Sequence, residues 1–115
     1  MNEQNTKRFD LEDRTFQFAV QVRDFVKIVQ KSIANSIYVA QLIRSSSSVG
    51  ANYIEANESL SKKDFLMRIK ICRKETKETT YWLKLLTVDS TKRTYLIDES
   101  IELMKIFGAI ISRFK

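Results

Sequence analysis

Residues 44–61 read RSSSSVGANYIEANESLS. Four consecutive serines and a glycine have the composition of a linker. Yet Arg44, Ser48, Asn52, Glu55 and Ser59 recur at intervals of three and four, the repeat of one face of an α-helix. Val39, Leu42, Val49, Tyr53, Ala56 and Leu60 keep the same period on the other side. The stretch therefore reads as the middle of a continuous helix with an apolar face and a polar seam. The small side chains of Ser45 to Ser48, Gly50 and Ala51 allow a neighbouring helix to approach closely.

Composition points the same way. The chain has 115 residues, enough for one domain with one core. It has no proline and two glycines, poor material for tight turns and good material for long helices. A single cysteine, Cys72, cannot form an internal disulfide, and no secretory signal pattern opens the sequence, so a cytoplasmic location is expected. No uncharged apolar run approaches the ~20 residues that cross a bilayer.

Working outward from the seam, three more helices are expected. Residues 1–8 are polar and aperiodic and read as a flexible N-terminal arm, with a single domain over 9–115. Leu11, Thr15, Phe18, Val22, Phe25 and Val29 step by four and three, which predicts helix one from Leu11 to about Lys31 with Asp10 as N-cap. Ser32 or Asn35 caps helix two. Ser61 caps helix three, with Asp64 favourable in its first turn. Its inner stripe is Phe65, Ile69, Cys72, Thr76, Thr79, Leu83 and Leu86, running to about Thr87. VDSTKRTYLID breaks the pattern, and Asp98 is expected to open helix four, with Ile101, Met104, Gly108 and Ile111 on one side and Leu103, Phe107, Ile110 and Phe114 beside them. Four such helices with short links predict an all-α, antiparallel up-and-down four-helix bundle. The apolar residues of helix four cover more than one stripe, so a homo-oligomer burying that surplus is expected.

Enzymatic chemistry finds little support. There is no histidine, so the commonest general base and metal ligand is missing, and no Glu-x-x-His pair can be written for a di-iron bundle. Cys72 falls on an apolar stripe without an activating partner. No phosphate loop, catalytic residue, metal site or cofactor is called for.

The charge is more informative. The net charge is +6, and eight basic residues against three acidic ones lie between Lys62 and Lys84. At ~100° per residue, Lys63, Lys70, Lys74, Lys77 and Lys84 share one arc of helix three, with Tyr81 among them and Arg73 at the edge. Like charges four apart, as in Lys70 with Lys74, mildly destabilise an isolated helix. Such a stripe suits neutralisation of phosphates without base reading, with an aromatic available to stack; a solvated bundle face is the alternative. On the seam, Arg44 is placed to pair with Glu75 and Glu78 of helix three in an antiparallel hairpin. The pattern leaves open whether the seam faces helix three or a neighbouring subunit.

The run from Arg44 to Leu86 resembles the small four-helix-bundle proteins encoded in intervening sequences of large-subunit ribosomal RNA genes, a family taken to include the accessory variability determinant of diversity-generating retroelements. The resemblance rests on Arg44, Ser45, Ser48, Asn52 and Glu55, then Lys63, Asp64 and Phe65, then Lys74, Glu75, Glu78, Trp82 and Leu83. It spans about Phe9 to Phe114. The proline often found between helices one and two is replaced by QKSIAN. The resemblance implies a barrel-like homopentamer with no established enzymatic activity, while the basic arc of helix three makes nucleic acid, as RNA or a ribonucleoprotein, the expected partner. It implies a reverse transcriptase as an alternative partner.

Overall fold

A computed structural model describes residues 3–114. Helix α1 spans Glu3–Phe25 and runs into a single 3₁₀ turn at Val26–Ile28; α2 spans Ile33–Asn57, α3 Lys62–Leu85 and α4 Thr91–Ser112. No strand occurs among the described residues. Each helix packs on its sequence neighbour and α4 closes back on α1, with the widest contact between α2 and α3. This is a four-helix bundle, with extents of 44 × 26 × 20 Å. RSSSSVG lies inside α2 without interruption.

Serine caps set three of the helix starts. Ser32 accepts a hydrogen bond from the Asn35 N–H at 3.0 Å, Ser61 from the Asp64 N–H at 3.1 Å and Ser90 from the Lys92 N–H at 3.1 Å. Each satisfies one amide that the first helical turn leaves without a partner. Ser32 is thus the cap of α2, and Asn35 has another role described below. Asp10 is not a cap, because the backbone is already helical from Glu3; of the expected arm, residues 1 and 2 lie outside the described residues.

Two boundaries differ from expectation. Helix α1 stops at Phe25 rather than Lys31, because the chain tightens through Val26–Ile28 and Val29 is extended at φ −74° and ψ 130°. Helix α4 begins at Thr91, seven residues before Asp98. Its first two turns are polar outward and contribute one core residue, Leu96, so no apolar period announces them.

The core joins Leu11, Phe18, Val22 and Phe25 of α1, Leu42, Val49, Tyr53 and Ala56 of α2, Ile69, Cys72 and Leu83 of α3, and Leu96, Leu103, Phe107 and Ile111 of α4. The inner line of α4 thus takes Leu103 and Phe107 from the expected second ridge and Ile111 from the other side, while Phe114 is exposed. Ile101, Met104 and Gly108 sit at its flank, partly exposed, and Leu60, expected on the inner face of α2, lies beyond its end fully in solvent. The surplus on α4 is mostly covered within the chain: Ile97, Ile106 and Ile110 pack against the core. Exposed large apolar residues are spread over the bundle, with Ile33, Ile37, Ile43 and Ile54 on α2, Phe16 on α1, and Tyr95 and Phe114 at the two ends of α4. Ile43 and Phe16 flank a groove of about 290 Å³ between those helices, also lined by Ala19, Val20, Ser46 and Ser47.

Candidate nucleic-acid interface

The polar seam is the α2–α3 contact of one chain. Arg44 donates to Glu78 at 2.7 Å, to Glu75 at 3.3 Å and to Gln41 at 3.1 Å. Its guanidinium pKa is raised, chiefly by the hydrogen bond to Glu78. Ser45 is buried and accepts from the Thr79 hydroxyl at 2.8 Å. Further along, Arg68 donates to Asn52 Oδ1 at 3.0 Å, while Asn52 Nδ2 donates to the Ser48 carbonyl and hydroxyl, both at 2.9 Å. Arg44, Ser45, Ser48, Asn52, Glu75 and Glu78 are thus brought together as expected. Glu55 is not: its side chain is exposed and makes no hydrogen bond or ion pair among the described residues. Arg68 belongs to the seam without having been singled out; a basic residue at the start of α3 facing an amide on α2 was the available signal.

Threonines line the inner face of α3 and return their hydroxyls to their own helix. Thr76 donates to the Cys72 carbonyl at 2.6 Å, Thr79 to the Glu75 carbonyl at 2.9 Å and Thr80 to the Thr76 carbonyl at 3.1 Å. Thr80 and Ser100 also share a buried hydroxyl contact of 2.6 Å that ties α3 to α4. Small, internally satisfied side chains here let α3 lie close to both neighbours without burying an unpaired polar group.

The outward side of α3 has the opposite character. Lys63, Lys70, Arg73, Lys74, Lys77, Tyr81 and Lys84 are all exposed on one arc. None of the five lysines has a carboxylate within ion-pair distance among the described residues, whereas Arg14, Arg23, Lys27, Arg44 and Lys105 each have one. Two of the acids on this helix, Glu75 and Glu78, are turned toward α2 and engaged by Arg44. The arc therefore keeps its positive charge unneutralised. Lys70, Arg73, Lys74 and Lys77 wall an open depression of about 540 Å³ whose floor is Ile111 of α4.

Tyr81 is 58% exposed. Trp82 meets it edge-on at 5.1 Å between centroids and 72°, and Trp82 is itself stacked on Tyr38 of α2 at 6.0 Å and 28°. Cys72 is fully buried, and burial pushes its thiol pKa up to about 12. A thiol held in that state is a core side chain rather than a nucleophile. Among the described residues no group of three His, Cys, Asp or Glu side chains is placed to hold a metal, and no helix is long and apolar enough to cross a membrane.

Fold and surface together define a small four-helix bundle cemented by an α2–α3 polar seam and carrying a lysine-rich outer helix. The model of the 23S rRNA-intervening sequence protein family matches residues 7–110, and the chain belongs to that family. A crystal structure of a protein of unknown function from the S23 ribosomal protein family of Bacteroides thetaiotaomicron VPI-5482 is 30% identical, superposes with a TM-score of 0.77, and covers 87% of this chain and 96% of its own. No curated protein matches the chain.

Proposed function

We propose that this protein is a non-catalytic, oligomeric bundle that binds nucleic acid, with RNA or a ribonucleoprotein as its target, through the outer face of α3. The observation that carries the reading is the unpaired state of Lys63, Lys70, Lys74, Lys77 and Lys84 while the seam acids are consumed by Arg44. Lysines so arranged neutralise phosphates and release counterions, which ties affinity to salt. Filter binding of RNA across a salt series is the test: affinity should fall steeply as salt rises, and Lys70→Glu with Lys77→Glu should abolish most of it. Affinity indifferent to salt or to those reversals would sink the reading.

Self-association is part of the proposal, with a pentamer as the number the family resemblance implies. Support comes from the exposed isoleucines of α2, Ile33, Ile37, Ile43 and Ile54, and from the groove where Ile43 meets Phe16. Light scattering should report an oligomer that Phe16→Glu with Ile43→Glu disrupts. The same exposed isoleucines support a second reading, a scaffold that engages a reverse-transcriptase-like protein as retroelement accessory proteins do. A partner recovered by pull-down that survives nuclease treatment would favour it.

A further inference from the structure

Lys63, Lys70, Lys77 and Lys84 repeat every seven residues. At 1.5 Å per residue they stand ~10.5 Å apart along α3, in a row ~31 Å long. Lys74 fills one gap, and Tyr81 holds the place one heptad beyond it, four residues after Lys77 and three before Lys84. We infer that this row takes single-stranded nucleic acid, its phosphates against the lysines and one base stacked on Tyr81. The inference rests on the nucleic-acid reading above and narrows it.

Three features select a single strand over a duplex. The row slants by only about 20° per heptad around α3, whereas each backbone of a duplex winds away from so slow a path within a few base pairs; a flexible strand can follow it from Lys63 to Lys84. The arc is poor in side chains that read base edges: apart from Arg73 its cations are lysines, point charges rather than planar forks. Its aromatic is exposed and propped from behind by Trp82, which is stacked on Tyr38. A ring so fixed offers a π-face that unstacked bases can use, and that a duplex, with its base faces buried in the stack, cannot. The depression over Ile111, ringed by Lys70, Lys74 and Lys77, gives a second place where an apolar base face can rest while its phosphates meet the lysines.

The test compares a labelled oligouridine of about 12 nucleotides with a blunt RNA duplex of the same length on the intact protein. The single strand should bind at least about tenfold tighter, with a salt slope near −3.5 if all five lysines engage, from about −0.7 per phosphate. Tyr81→Ala should weaken it by about 5- to 100-fold, and Tyr81→Phe should leave it unchanged. Emission of Trp82, the one tryptophan, should change on binding in step with occupancy. Duplex bound as tightly as single strand, or full affinity in Tyr81→Ala, overturns the inference and leaves the basic-face reading standing if Lys70→Glu and Lys77→Glu still weaken both ligands. If neither ligand binds, both fall together.

Discussion

Asn35 holds Thr87 by both ends of its amide: Nδ2 donates to the Thr87 carbonyl and Oδ1 accepts from the Thr87 N–H, each at 3.1 Å. Nδ2 also donates to the Gln30 carbonyl at 2.8 Å. One buried side chain thus fastens the α1–α2 link to the α3–α4 link, just past the end of α3. It supplies partners for three backbone groups that neither helix can satisfy. Asn35→Ala is expected to cost about 2 kcal/mol in urea unfolding, and Asn35→Asp at least as much, since a carboxylate would face two carbonyls. Replacement of Ser32 by Ala should cost only about 1 kcal/mol, the ordinary value of a cap.

Arg44 and its two acids give a second expectation, an asymmetric one. Glu75 is 8% exposed while Glu78 is more open. Removing Glu78 leaves Arg44 with Glu75, so Glu78→Ala should cost under about 1 kcal/mol, as surface pairs do. Removing Arg44 strands Glu75 in a half-dry contact, and Arg44→Ala should cost about 1–3 kcal/mol. The seam and the lysine arc lie on different sides of α3, so both variants should keep the salt dependence and affinity of RNA binding per folded molecule. A drop in binding at unchanged folding would move Arg44 from the seam to the interface.

The α2 and α3 stripes were legible because each keeps small or apolar residues in phase over about five turns or more, Leu60 beyond the end of α2 being the exception. The Arg44 pairs followed from opposite charges on adjacent helices flanked by serines and threonines. The start of α4 was not legible: TKRTYLID carries a single core residue, Leu96, and one buried side chain establishes no period. Nor could the pattern place the apolar surplus. Periodicity tells which residues share a face but not what covers it, and Ile97, Ile106 and Ile110 are covered in the bundle core while Ile33 and Ile37 are not. Glu55 had the seam's period yet stands outside it, exposed, while Arg68 of α3 bonds Asn52 one turn earlier.

Cys72 provides the pH expectation. Burial raises its folded pKa to about 12 from the ordinary 9.0, and its thiol also donates to the Val49 carbonyl at 3.5 Å. The unfolded chain therefore loses its proton first as pH rises, so stability from this group is complete below the unfolded value and declines steadily through the window between the two. Cys72→Ala should remove that alkaline slope from pH 9 upward while lowering stability at pH 7 by a small cavity cost of about 1 kcal/mol. In the native protein a thiol reagent at pH 8 should label Cys72 only at the rate of global unfolding. Rapid native labelling would contradict its burial.

The two glycines should respond in opposite ways to added side chains. Both lie within helices with ordinary negative φ. A Cβ on Gly108 would meet nothing within 4 Å, so Gly108→Ala gains only helix propensity, up to about 1 kcal/mol, or about 4 °C in Tm. A Cβ on Gly50 would sit 3.2 Å from the Thr15 hydroxyl and 3.4 Å from its Cβ, where α1 crosses α2. Thr15 cannot readily turn aside, because its hydroxyl is bonded to the Leu11 carbonyl at 2.9 Å and the Glu12 carbonyl at 3.0 Å in a fully packed site. Gly50→Ala should therefore forfeit its propensity gain, and Gly50→Leu should push α1 off α2 at a cost of about 3 kcal/mol or more. Thr15→Ala should restore part of the loss in the Gly50→Ala background by clearing the contact. Thermal unfolding of the four chains decides it: no rescue by Thr15→Ala would mean that Gly50 is not held small by that helix crossing.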